Sequence, residues 1–138
     1  MRFALRRAAP WLPSIAYMAL IWALSSQSQQ ISMPSLPWSD KVAHFIEYAI
    51  LGGLYAHAVL RTWPQLSPLR ALAIAAVLTS AWGYIDEIHQ AFVPGRNSDV
   101  RDWVADTLGA IAGVTIVGAL DRMRRRQTYH RQGAEDAK

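Results

Sequence analysis

ALAIAAVLTSAWGYIDEIHQAFVPGRNSDVRDWVADTLGAIAGVTIVGAL, residues 71–120, is the stretch that decides the fold. Two apolar runs, roughly Ala71–Val93 and Trp103–Leu120, flank a short polar link. Each run is close to the ~20 residues that cross a ~30 Å hydrocarbon core as a helix. The link carries Pro94-Gly95, a turn signal, followed by Asn97 and Ser98, residue types that cap helices. So short a connection makes its two helices antiparallel neighbours.

Upstream lie two more apolar runs, roughly Ala8–Leu24 and Val42–Leu60, with Pro37 and Ser39 introducing the second of them. Pro10 and Pro13 sit near the start of the first run, where a helix tolerates proline. Ala23-Leu24-Ser25 also fits a signal-peptide cleavage site, but the run is long for that role and three further runs follow it. The pattern predicts an all-α membrane protein with four transmembrane helices in an antiparallel bundle. It divides the chain into a basic stretch 1–7, a membrane domain 8–120 and a basic tail 121–138, read as disordered or frayed.

Charge sets the predicted orientation. Arg2, Arg6 and Arg7 precede the first run, Arg61 and Arg70 flank the second-to-third link, and Arg122, Arg124, Arg125, Arg126, Arg131 and Lys138 follow the fourth run. These zones hold eleven of the fourteen bases, so the positive-inside rule places both ends of the chain in the cytoplasm of a bacterial cell. The formal charge of +4 and pI near 9.9 then suit anionic lipid rather than nucleic acid. With no cysteine there is no disulfide, thiolate nucleophile or cysteine metal site. No nucleotide-binding loop or serine-hydrolase elbow is present either.

Under that orientation seven of the ten acids fall at the outer ends of three helices. Asp40 and Glu47 open the second run, Asp86 and Glu87 close the third, and Asp99, Asp102 and Asp106 open the fourth. Helical spacing aligns Lys41, His44, Glu47 and Tyr48 on one face. Gly83, Glu87 and Gln90 share another face, with Asp86 and His89 beside it. Asp99, Asp102 and Asp106 share a third, continued inward by Gly109 and Gly113, a small-x-x-x-small pair that admits a close helix within the bundle or between protomers. Charges at membrane depth are costly, so this set should face the bundle interior. His57 and His130 have no acid in the pattern, and the six tryptophans read as interfacial anchors.

These residues resemble the VanZ-like family. Asp40-Lys41-Val42-Ala43-His44-Phe45 with Tyr48 and Gly52 is similar to the start of its second helix. Asp86-Glu87-Ile88-His89-Gln90 and Phe92-Val93-Pro94-Gly95-Arg96 resemble its strongest motif. Leu24-Ser25-Ser26-Gln27, and Asp99, Asp102, Asp106-Thr107 and Gly109, fit the ends of its first and fourth helices. Asp106 departs from that pattern, standing where asparagine is common. The resemblance spans about residues 15–120 and implies a bacterial multi-pass membrane protein of envelope biology. The family is named for a member linked to resistance against the glycopeptide teicoplanin.

Three chemistries fit the residues. A structural ionic network would use Lys41, Arg96 and Arg101 to neutralise acids, but seven acids against three bases leave an excess of about four negative charges. A site for an envelope lipid, cell-wall precursor or glycopeptide-type ligand would use Lys41, His44, Glu47, Tyr48, Gln90, Arg96, Asp99, Asp102 and Asp106, with Arg96 gripping a lipid phosphate. A metal-dependent hydrolase or transferase would draw on Glu87, His89 and Asp86 for catalysis. It would hold a divalent metal with pairs one turn apart: His44 and Glu47, Asp86 and His89, Asp102 and Asp106. A transporter fits less well, because four spans are few for alternating access.

Overall fold

A computed structural model describes residues 7–28, 38–96 and 98–136. Arg2, Arg6, Pro37, Asn97 and Lys138, which enter the orientation and capping expectations, lie outside the described residues. Among the described residues the chain is all-helical. A 3-10 turn, Ala9–Trp11, leads into α1, Leu12–Ser25; then come α2, Ser39–Thr62, α3, Pro68–Gln90, and α4, Val100–Asp136. The expected runs are present with shifted ends, α2 and α3 each starting three residues earlier than read.

Local chemistry explains the boundaries. Pro10 falls in the 3-10 turn and Pro13 in the first turn of α1, where a missing N–H costs nothing. The Ser67 hydroxyl accepts the Arg70 N–H at 3.4 Å and Pro68 opens the first turn, so α3 begins ahead of its apolar run. After α3 the chain turns at Pro94-Gly95, closed by the Arg96 N–H on the Val93 carbonyl at 3.1 Å. Gly95 has φ +83°, the conformation that a type II turn demands at its third position. Gly95→Ala is expected to cost about 1–2 kcal/mol in thermal unfolding of the detergent-solubilised protein, from left-handed strain. A Cβ there would also lie 3.0 Å from the Ser28 carbonyl oxygen.

Two expectations need correction. The cap of α4 is not Ser98: the Asp99 carboxylate accepts the Arg101 N–H at 2.9 Å, while the Ser98 hydroxyl turns to Glu87. The basic tail, expected to lack structure, is helical in its described part, where α4 runs on through Asp136. Residues Asp121 to Gln132 contain no glycine or proline, Asp121 pairs with Arg125 one turn on at 2.6 Å, and arginine, methionine and glutamine favour helix.

Helix α2 is the central element and touches each of the other three. The start of α1 meets the end of α2, where the Trp11 indole N–H donates to Thr62 at 2.8 Å. The end of α1 meets the end of α3 through Ser25 and Asp86. The starts of α2 and α4 meet through Lys41 and Asp102. The helices therefore alternate in direction along the chain, and α2 and α4 run parallel.

Their seam is built from small residues. Cβ atoms added at Gly109 and Gly113 would collide with the Phe45 and Ala49 carbonyls of α2, and one at Gly52 would stand 2.7 Å from the Ala110 carbonyl oxygen of α4. The Gly109–Gly113 pair thus packs within the bundle. The remaining core is also compact: Ile21, Tyr48, Leu51, Tyr55, Val59 and Val114 with small alanines.

Large aliphatic side chains point outward while acids point inward. Leu69, Val77 and Ile116 are 80%, 67% and 59% exposed, whereas Glu87 and Asp106 are 5% and 0% exposed. That inversion suits a lipid solvent. Three helices, α2 to α4, are long and apolar enough to cross a membrane; the Ala9–Ser25 segment is shorter. A lateral groove of about 570 Å³ between α2 and α4 faces outward, lined by Ile50, Leu54, Ile116 and Leu120, with His57 and Arg124 toward the basic end. His57 thus stands apart from the acidic end of the bundle, on a groove that Asp121 also lines.

Candidate functional site

The acidic end of the bundle collects side chains from all four helices and the turn between α3 and α4. Glu87 lies in the last turn of α3, and His44 and Asp106 lie one to two turns into α2 and α4, about 5–10 Å below the helix ends. Parallel α2 and α4 bring their first turns side by side, and antiparallel α3 delivers its last turn to the same level.

The residues divide into three groups. Lys41 anchors the first, its ammonium donating to Asp102 at 2.7 Å, Asp40 at 3.2 Å and Asp99 at 3.4 Å. The Arg101 backbone N–H, and after it the Lys41 charge, hold the exposed Asp99 carboxyl below the usual carboxylate range.

The second group joins α3 to α1. The Ser25 hydroxyl donates to Asp86 Oδ1 at 2.6 Å, and the Gln90 amide to Asp86 Oδ2 at 2.8 Å, so both Asp86 oxygens are engaged. The His89 ring stacks on Trp22 with centroids 3.8 Å apart and planes 18° apart. Its nitrogens lie 3.5 Å from the Ser25 hydroxyl and 3.4 Å from the Ser26 hydroxyl. Trp22 is therefore more than the interfacial anchor it was read to be: it is the platform under His89.

The third group lies at the centre. His44 Nδ1 is 2.9 Å from Asp106 Oδ1. Glu87 Oε2 accepts from the Ser98 hydroxyl and from the Asp99 N–H, each at 3.0 Å. One ligand-type atom from each of His44, Glu87 and Asp106 lies within 4.8 Å of the other two. Each carboxylate is thereby held by one oxygen. The other, Glu87 Oε1 and Asp106 Oδ2, is buried without a hydrogen-bond partner among the described residues, as is the Tyr48 hydroxyl. Buried polar atoms are rarely left so. Gly83 makes room for the group: a Cβ there would stand 2.9 Å from Asp106 Oδ2 and 3.1 Å from Tyr48 Cε1.

Glu47 is half-buried on the same face of α2, its charge felt by His44, Asp86 and Asp106, and that of Arg96 reaches it. Among the described residues Arg96 and Arg101 form no ion pair. The structure thus draws together all three acid-bearing helix ends, but sorts the one-turn pairs read from the sequence unequally. His44 meets Asp106 and Glu87 rather than Glu47, and Asp102 belongs to Lys41, while Asp86 and His89 stay together at 4.0 Å and face α1. Sequence reasoning did not place Ser25 or Trp22 at the site, although Leu24-Ser25-Ser26-Gln27 entered as part of the family resemblance.

Compared with known proteins, the chain matches no curated protein and no solved structure. A family profile described as VanZ/LLP1 matches residues 6–121. That range takes in α1 to α3, the apolar part of α4 and every residue of the acidic end. With three helices fit to cross a bilayer, the protein is a membrane protein of the VanZ type. A match over most of its length, including the motifs from which the central cluster is built, makes the chain a member of the VanZ/LLP1 family.

Proposed function

We propose that this is a four-span protein of a bacterial inner membrane, with both ends of the four-helix unit in the cytoplasm, and that its outward acidic end receives the phosphorylated headgroup of an envelope lipid or cell-wall precursor. One observation carries the reading: three helices converge buried carboxylates at one end of the bundle and leave Glu87 Oε1, Asp106 Oδ2 and the Tyr48 hydroxyl without partners. A network serving stability alone would close its hydrogen bonds, because a half-satisfied buried network is worse than an apolar one. The clustering of bases at the opposite end supports the orientation. The Ala9–Ser25 segment, about 25 Å long, serves as the fourth span.

Arg96 is the recognition group. It sits in the turn at the mouth of the site, has no ion-pair partner among the described residues, and carries a planar fork suited to phosphate. The excess of acid below it disfavours a bare anion, so the ligand has a cationic part or arrives with a cation.

Native mass spectrometry of the wild type and Arg96→Ala tests the reading. Phospholipid or polyprenyl phosphate should copurify with the wild type and fall about tenfold in the variant, the loss expected for one charged hydrogen-bonding partner. Equal retention would refute the role of Arg96. With no native cysteine to interfere, single thiols report the orientation. Arg101→Cys should react with an impermeant maleimide from outside the cell, and Arg131→Cys only after permeabilisation; the reverse pattern, or a shared one, would refute it.

A further inference from the structure

We infer that His44, Glu87 and Asp106 form a binding site for one first-row divalent transition-metal cation, with zinc and manganese the fitting chemistries. Among the described residues this is the one set of three histidine or acidic side chains whose ligand atoms come so close together. The set is not merely acidic, since an imidazole completes it and each ligand comes from a different helix. Three protein ligands of mixed nitrogen and oxygen type leave a position open, as catalytic metal sites do.

The unpartnered atoms are the independent observation. Glu87 offers its free Oε1 because Ser98 and Asp99 hold Oε2. Asp106 offers its free Oδ2 because His44 holds Oδ1. Fixing one oxygen by hydrogen bonds while freeing the other is how outer-shell contacts orient a ligating carboxylate. The three ligand atoms lie within 4.8 Å of one another, and adjacent ligands on bonds of 2.0–2.2 Å stand about 3.3 Å apart in a tetrahedral site, so side-chain shifts of about 1–1.5 Å close the set around a cation.

Charge favours occupancy. Lys41 is committed to Asp40, Asp99 and Asp102, and among the described residues no lysine or arginine forms an ion pair with Glu87 or Asp106. A divalent cation there would offset two of the excess negative charges and offer a phosphate oxygen the open coordination position. In that last role the inference rests on the proposed headgroup reading; the metal site itself does not.

The test uses tag-free protein in nanodiscs, stripped with chelator and titrated with Zn²⁺, Mn²⁺ and, for comparison, Mg²⁺ by calorimetry and native mass spectrometry. One equivalent of Zn²⁺ or Mn²⁺ per chain is expected, with Mg²⁺ at least about tenfold weaker because the imidazole suits the softer ions. Asp106→Asn and Glu87→Gln, close in shape to the native residues, should each weaken binding about 10-fold or more, the range seen when a metal site loses a supporting group. Metal should raise the thermal midpoint of the wild type but not of the variants. Failure of the wild type to bind a stoichiometric transition metal, or equal binding by folded Asp106→Asn, would overturn the site. Phosphorylated lipid retained without metal would separate that failure from failure of the headgroup reading. Stoichiometric metal without lipid would do the opposite.

Discussion

Gly113→Leu is expected to yield little folded monomer, losing about 3 kcal/mol or more, read as a collapsed monomer peak in size-exclusion chromatography and a lowered thermal midpoint. The reason is where the side chain would go. A Cβ at Gly113 would land on the Ala49 carbonyl of α2, next to the Gly53 nitrogen. Overpacking a core usually costs about 1–3 kcal/mol because neighbouring side chains shift aside. Here the neighbour is a helix backbone, and retreat would open the entire α2–α4 seam, with Gly52, Gly109 and Ala110 losing contact together. In a bilayer, packing of this kind is what associates helices at all. Gly118 and Gly133 grade the argument. A Cβ at Gly118 would meet only the tip of the Leu72 side chain, at 2.5 Å, so Gly118→Ala should cost far less. Gly133 has nothing within 4 Å, and Gly133→Ala should be neutral or stabilising by up to about 1 kcal/mol. If Gly113→Leu and Gly133→Ala purified alike, the interlocked seam would be wrong.

The same seam shows what the sequence could and could not disclose. Gly109 and Gly113 were legible as a close-approach face because their spacing is a property of one helix. That the opposing surface is Phe45, Ala49 and Gly52 depends on the rotation of α2, which hydropathy does not specify. The acids follow the same division. Their gathering at one end follows from chain direction and span length, both readable. Their sorting follows from helix rotation, so the i,i+3 pair His44 and Glu47 suggested a shared site where the bundle instead sets His44 against Glu87 and Asp106 from two other helices. The helix that continues past Leu120 in the described tail was hidden for a different reason. Polarity marks where lipid ends, not where helix ends, and an arginine-rich segment with an i,i+4 pair continues its helix into water.

Lys41→Met should cost about 3 kcal/mol, and adding Asp102→Asn should recover at least half of that loss, measured by thermal or denaturant unfolding in mixed micelles. Asp102 is 7% exposed and takes the shortest of the three Lys41 contacts, at 2.7 Å. Removing the lysine leaves a buried carboxylate unpaired beside Glu87 and Asp106, and stranding one member of a buried pair is costly, at about 3–5 kcal/mol. An amide at position 102 carries no charge to strand, so the double variant should be more stable than Lys41→Met alone. Asp40, with its side chain 58% exposed, makes the contrast: Asp40→Asn should change stability by less than about 1 kcal/mol despite its 3.2 Å contact with the same lysine. The ordering matters beyond stability. Because Lys41 is held toward Asp102, it does not reach Asp106, and the central carboxylates are left facing an imidazole rather than an ammonium, each with one oxygen unpartnered. If Lys41→Met proved as stable as the wild type, Lys41 would be a solvated surface cation, and the separation between a structural ion pair and an unpartnered central group would lose its physical basis.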